Sequence, residues 1–271
     1  MIRTRSNPGK AASAPRPSRA MLAWFSLYLR WYVPRHFHAL RLAHAARFLD
    51  GADSGKPVIV ALNHPSWWDP LTCILVSRYL LPRHDHYAPM DASEVERYRI
   101  LAHMGLFPVD KGSPRGAAQF LRAGQQILSR PQSLLWVTPQ GDFTDARQRP
   151  VVFRPGLSAL VARLPQATVI PLAIEYTYWN ERLPEILVNA GAPVQIDGVS
   201  EADAIDARLT TALANAQDEL AALAHERDTS LFDTILEGAS GAGNLYALWQ
   251  RLRATSKPRI YSREPRSHRI P

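Results

Sequence analysis

The chain has a single cysteine, Cys73, among 271 residues. It can form no intramolecular disulfide and no zinc site built on several cysteines, which fits a reducing compartment, and Cys73 reads as a small buried thiol. Acidic residues are absent from Met1 to Leu49. Long apolar runs are lacking too: the densest, Met21 to Val33, stops at Pro34. As a helix its thirteen residues would reach about 20 Å, against a hydrocarbon layer of roughly 30 Å, so it is not a membrane-crossing segment. No small-residue cleavage site follows it, which argues against a signal peptide. There is no Gly-x-Ser-x-Gly sequence, which argues against an ordinary serine esterase.

The charge that is present is unevenly placed. Nine Lys or Arg residues lie between Met1 and Leu49, and seven lie between Arg251 and Pro271 against the single acid Glu264. The net charge of +8 therefore comes from the ends, and residues 50 to 250 are net negative. Basic ends on an acidic middle suit contact with an anionic membrane surface, as on the cytoplasmic leaflet, where the protein would sit peripherally. No nucleic-acid partner is expected.

Composition divides the chain into four parts. Residues 1–20, rich in Pro, Ser, Ala and Arg, read as a disordered basic arm. Residues 21–49 read as an aromatic-rich amphipathic region containing a helix from Met21 to Val33. Its Trp, Tyr and Arg content suits the headgroup layer of a membrane, and it equally suits a helix packed on the protein's own core. Residues 50–230 hold the main domain, and 231–271 a further helix, from about Phe232 to Leu252, with a basic tail.

Within the main domain, apolar runs at 58–62, 106–109, 134–138, 169–174 and 186–188 alternate with helix-like stretches at 70–79, 114–129, 156–163 and 203–224. This pattern predicts a single α/β domain with a largely parallel or mixed sheet flanked by helices.

The chemistry-bearing segment is Asn63-His64-Pro65-Ser66-Trp67-Trp68-Asp69-Pro70, directly after the run Val58–Leu62. Pro65 keeps His64 out of helical conformation and Pro70 suits the first turn of a helix, so both titratable residues fall at a strand-to-helix junction. A histidine with a carboxylate partner can deprotonate a hydroxyl near neutral pH. Asp69 also suits a helix cap, in a capping box with Ser66, and His64 a hydrogen-bonded core histidine. Trp67 and Trp68 fit either the lining of a substrate channel or an anchor for the turn. Further on, Ser113-Pro114 marks a helix start beside Lys111 and Arg115, the makings of an anion site or of a solvated surface.

His64 and Asp69 with four residues between, then Gly105–Lys111, Thr138-Pro139-Gln140-Gly141 and Val169-Ile170-Pro171-Leu172, resemble the four ordered blocks of the glycerolipid and lysophospholipid acyltransferase family. The resemblance spans roughly residues 55 to 195. It implies an acyltransferase of the 1-acylglycerol-3-phosphate type and a glycerol-3-phosphate acyltransferase-like fold. His64 and Asp69 would be catalytic, and Lys111, Arg115, Gln140, Gly141 and Pro171 would bind substrate. No bound cofactor or metal is implied; acyl-CoA or acyl carrier protein is the co-substrate and a lipid the acceptor. His64 would take the proton of the acceptor hydroxyl as it attacks the thioester, with no covalent enzyme intermediate and with backbone N–H groups near Gly141 as oxyanion donors.

Two blocks depart from the family pattern. Lys111 replaces the usual Arg and cannot make its bidentate fork. In the third block, usually Phe-Pro-Glu-Gly-Thr-Arg, Gln140 replaces the glutamate and Phe143 the arginine. Phe143 cannot bind phosphate and Asp142 would repel it, although Arg147, Arg149 and Arg154 follow closely. The acceptor expected is a neutral, glycosylated or otherwise modified lipid hydroxyl rather than lysophosphatidate. Gln140 would hydrogen-bond it. Hydrolysis by the same histidine–aspartate pair, and a non-enzymatic basic membrane binder, are the competing readings.

Overall fold

The computed structural model describes residues 15–198 and 201–238. Its centre is the apolar run read from the sequence: strand β2 (Val58–Leu62) is buried at every position. Val58, Val60 and Leu62 face one apolar layer while Ile59 and Ala61 face another. β-branched residues on a strand covered on both sides are what a parallel sheet interior favours.

β1 (Ala39–Ala43) and helix α2 (Ala45–Ala52) precede β2. After it come α3 (Asp69–Leu80), β3 (Asp85–Asp91), α4 (Ala92–Arg97), β4 (Leu106–Val109), α5 (Pro114–Leu128) and β5 (Ser133–Val137). The chain continues through α6 (Gly156–Val161), β6 (Gln166–Thr177), β7 (Glu185–Ala190), β8 (Val194–Asp197), α7 (Ala202–Glu226) and β9 (Asp233–Glu237). One mixed sheet results, in the order β4-β3-β5-β2-β6-β7-β1-β9, with β8 paired to β6. β4, β3, β5, β2 and β6 run parallel, and β7 is antiparallel to β6. Helices α5, α6 and α7 cover one face; α2, α3 and the leading helix α1 (Arg19–Tyr32) cover the other. The parallel strands thus present their carboxyl ends along one edge, where ligands bind in open α/β sheets.

Pro171 sits inside β6, opposite Ala61 of β2. On its other side β6 pairs with β8 up to Val169 and with β7 from Leu172. Pro171 falls at that change of partner, where its missing N–H costs no ladder bond, and its carbonyl accepts from Gly191 N. This is a sheet interior rather than an edge.

The ends depart from the sequence reading. β1 lies within residues 21–49 yet is fully buried in the sheet, its Arg41 bonded to Glu185. Two faces of α1 serve two purposes: Leu29 and neighbouring Val33 are buried, while Trp24 (63%), Leu27 (68%) and Trp31 (56%) are exposed. The expected helix from Phe232 is instead β9 over 233–237, antiparallel to β1, where it supplies backbone partners and accepts from Arg41 at Thr234 Oγ1. Residues 239–271 and most of the basic arm lie outside the described residues; Pro17 is already buried and Ser18 caps α1.

Candidate active site

The turn after β2 is built from its own side chains. Ser66 Oγ accepts from Trp68 N at 3.2 Å and Asp69 Oδ2 accepts from Ser66 N at 3.1 Å, a reciprocal arrangement of the capping-box kind. Asp69 is the first residue of α3 and Pro70 follows in the first turn. Asn63, buried, clasps Ile174 of β6 with two bonds: its Nδ2 donates to the carbonyl (2.9 Å) and its Oδ1 accepts from the amide (2.7 Å).

His64 Nδ1 lies 2.6 Å from Asp69 Oδ2. Asp69 is 1% exposed and its other oxygen accepts from the Tyr176 hydroxyl at 2.7 Å. Asp69 is not the cap the sequence suggested, since the N-cap of α3 is Trp68, but its bond from Ser66 N in the turn before the helix also holds the carboxylate against the ring. Among the described residues Nε2 of His64 has no protein partner, and the side chain is one-fifth exposed. An imidazole oriented by a buried carboxylate through one nitrogen, with the other open at the sheet edge, can take a proton from a bound hydroxyl.

The 138–144 loop after β5 closes on His64. Gln140 Oε1 accepts from His64 N at 3.2 Å, and Thr144 N donates to His64 O at 2.9 Å. Gln140 thus holds the histidine's backbone rather than being reserved for an acceptor hydroxyl. Glutamate and glutamine both offer that oxygen, so the change at 140 preserves the contact. Gly141 has φ +81°, in the left-handed region glycine favours, and its N–H is taken by Thr138 O. Of the amides near Gly141 expected as oxyanion donors, its own is therefore taken. The amides of Asp142 and Phe143 carry no protein bond among the described residues. Phe143 covers His64, ring centroids 4.4 Å apart.

The three arginines downstream are each matched with a carboxylate: Arg147 with Asp145, Arg149 with Asp218, and Arg154 with Asp142. Arg147 holds Asp145 far below the usual carboxylate range. Lys111 and Arg115 are exposed and enter no salt bridge among the described residues. They follow β4, three strands from β2, so roughly 14 Å separates them from the dyad along the sheet edge. Their helix begins as Ser113-Pro114 predicts, with Ser113 Oγ accepting from Gly116 N. Pro171, five residues before Tyr176 on β6, is not brought to the pair.

Trp68 is an anchor: its ring packs edge-on against Phe37, centroids 4.8 Å apart. Trp67 is 66% exposed on the same turn. Burial, with the charge of Asp69, pushes the Cys73 thiol well up, which removes it as a nucleophile. Among the described residues no group of three or more His, Cys, Asp or Glu could hold a metal ion. The contact that sequence reasoning left unassigned is Tyr176. Strand alternation puts Glu175 and Tyr176 on opposite faces of β6 without saying which one meets Asp69.

The acyltransferase family model matches residues 45–175, which takes in the His64 turn, the 138–144 loop and all but the last residues of β6. Over that segment the chain is similar to the acyltransferase family. Among solved structures it is similar to PlsC from Thermotoga maritima, a 1-acyl-sn-glycerophosphate (LPA) acyltransferase, with 13% identity and a TM-score of 0.50 over 74% of this chain and 80% of that one. At that identity the likeness concerns the fold. No curated protein matches the chain.

Proposed function

We propose that this protein moves a fatty acyl group from an acyl-CoA or acyl carrier protein thioester to a lipid hydroxyl. The observation that carries the proposal is the His64 Nδ1 to Asp69 Oδ2 bond of 2.6 Å, with Nε2 open at the carboxyl edge of the sheet. His64 Nε2 takes the hydroxyl proton as the oxygen attacks the thioester carbonyl. The carbon–sulfur bond then breaks, and the imidazolium returns its proton to the departing thiolate. Asp69 stabilises the imidazolium throughout. The open amides of Asp142 and Phe143 serve as oxyanion donors.

The same site favours a neutral or glycosylated acceptor. Phe143 covers the base where the family places an arginine, Asp142 stands beside it, and three nearby arginines are occupied by carboxylates. Lys111 and Arg115 receive an anionic end of the donor, such as coenzyme phosphates, further along the edge.

The reaction belongs at a membrane surface. No helix among the described residues is long and apolar enough to cross a membrane. The exposed face of α1, with Trp24, Leu27 and Trp31, offers aromatic and aliphatic area to the interface, and Trp67 of the active-site turn is exposed as well. The basic ends favour the anionic cytoplasmic leaflet.

The test uses the full chain, palmitoyl-CoA and vesicles carrying lysophosphatidate, monoacylglycerol or monoglucosyl diacylglycerol, with free thiol and acylated product both measured. Thiol release is expected with the two neutral acceptors, matched by acylated lipid. It should vanish in His64→Ala without loss of the cooperative melting transition. Turnover in that variant equal to the parent's overturns the mechanism. Release that no acceptor alters, with free fatty acid as product, replaces it with hydrolysis.

A further inference from the structure

Asp69 has three donors for its two oxygens. Oδ2 accepts from His64 Nδ1 (2.6 Å) and Ser66 N (3.1 Å), and Oδ1 accepts from the Tyr176 hydroxyl (2.7 Å). The Tyr176 oxygen also lies 3.3 Å from Thr72 Oγ1, and Thr72 is buried on α3. An ionised carboxylate has no proton to give, so Tyr176 must donate to Asp69. Its single proton is then spent, and Thr72 must be the donor to Tyr176. The polarity of the chain is fixed from Thr72 through Tyr176 to Asp69, with His64 donating from the other side.

We propose that Tyr176 is a positioning residue of the acyl-transfer site, whose hydroxyl fixes the rotation of the Asp69 carboxylate so that Oδ2 meets His64 Nδ1. The proposal rests on the reading of His64 as general base. A carboxylate held at one oxygen can turn about its Cβ–Cγ bond; one held at both cannot. The ring of Tyr176 also packs near Phe37, centroids 5.7 Å apart, so packing and hydroxyl are separable roles. Burial first, then the charge of Asp69, pushes the phenol well above its ordinary range, so it stays a donor wherever the enzyme works.

Losing the hydroxyl has two consequences. Oδ1 is left inside the protein without its donor, and the carboxylate is free to swing. With Oδ2 no longer fixed against Nδ1, the imidazolium loses part of its counter-charge. The rate falls, and the base is protonated at a lower pH than before.

The test is Tyr176→Phe, which keeps the ring. With palmitoyl-CoA and monoglucosyl diacylglycerol vesicles, kcat is expected to fall about 10- to 100-fold, the usual range for loss of a partner that orients a functional histidine or its ligand. KM for palmitoyl-CoA should stay within about twofold, because no substrate contact is removed. The acidic limb of the kcat/KM profile should move to lower pH. A readout free of any acceptor is the His64 Nδ1 proton resonance, identified by its loss in His64→Ala, which should move in Tyr176→Phe. Thr72→Val should displace limb and resonance in the same direction by less, and it serves if Tyr176→Phe does not fold. An unchanged limb and resonance in a folded variant overturn the positioning role, while a dead His64→Ala leaves the base standing. A fully active His64→Ala overturns both.

Discussion

The Phe143 ring lies with its centroid 4.4 Å from that of His64, tilted by 41°. A flat apolar group covers His64 at a position where the acyltransferase family this chain resembles usually carries a cation. Phe143 is 61% exposed, so replacing it disturbs little packing. Phe143→Arg should leave the melting temperature nearly unchanged, lower turnover with monoglucosyl diacylglycerol, and raise it with lysophosphatidate. Vesicle assays run in parallel read both. Equal loss on the two acceptors would show that Phe143 does not select between them.

The outer face of α1 makes a second prediction. Trp24 and Leu27 are among the most exposed large apolar side chains described. Trp24→Ser with Leu27→Ser should weaken sedimentation with anionic vesicles severalfold, at a cost to thermal stability below about 0.5 kcal/mol, as befits exposed sites. Turnover on a detergent-solubilised acceptor should be unaffected.

Gly116 fixes how α5 leaves β4. A Cβ there would stand 1.8 Å from the backbone oxygen of Asp110, which no side-chain movement can relieve. Gly116→Ala should therefore destabilise the fold by about 2 kcal/mol or more, read as a lowered urea midpoint. The turn between carries Lys111, so the KM for palmitoyl-CoA should rise in whatever fraction stays folded.

Stability should also fall in mild acid because of His86. Its Nδ1 accepts from Trp136 Nε1 and its Nε2 donates to Leu81 O. Burial pulls it down from 6.5 to about 4. The unfolded chain binds a proton near pH 6.5 while the folded chain refuses it until about 4, so stability is full above 6.5 and declines as the pH falls between those values. His38 works in the opposite sense: its bond to Glu185 raises it, a contribution lost as the pH rises through its folded value. Melting scans from pH 7 to 4 should show a decline that is shallower in His86→Gln.

What could be read from the sequence was local. Val58–Leu62 announces a sheet interior because every position is apolar, and the His64 turn announces itself because Pro65, Ser66, Asp69 and Pro70 determine one another's geometry within a few residues. What failed to show depends on distant partners. β1 reads as part of an interfacial region because Arg41 interrupts it, and Glu185, 144 residues away, with Thr234 of β9, makes that charge tolerable in the sheet. β9 carries Asp233, Thr234 and Glu237, a pattern with no apolar face to declare a strand; the open edge of β1 recruits it. Tyr176 meets Asp69 across 107 residues, and no spacing rule reaches that far.

The clasp between Asn63 and Ile174 carries the β2–β6 ladder one residue past the end of β2, up to the threshold of His64. The base is thereby riveted to the same slab that bears Tyr176 and, through α3, Asp69. Among the described residues no lid or loop has to move for the His64 ring and the Asp69 carboxylate to meet; they already stand in contact. The ordering that remains is that of the two substrates finding the edge. For the proposed transfer, the entropy of activation accordingly belongs to the arrival of the substrates and not to any rearrangement of His64 and Asp69.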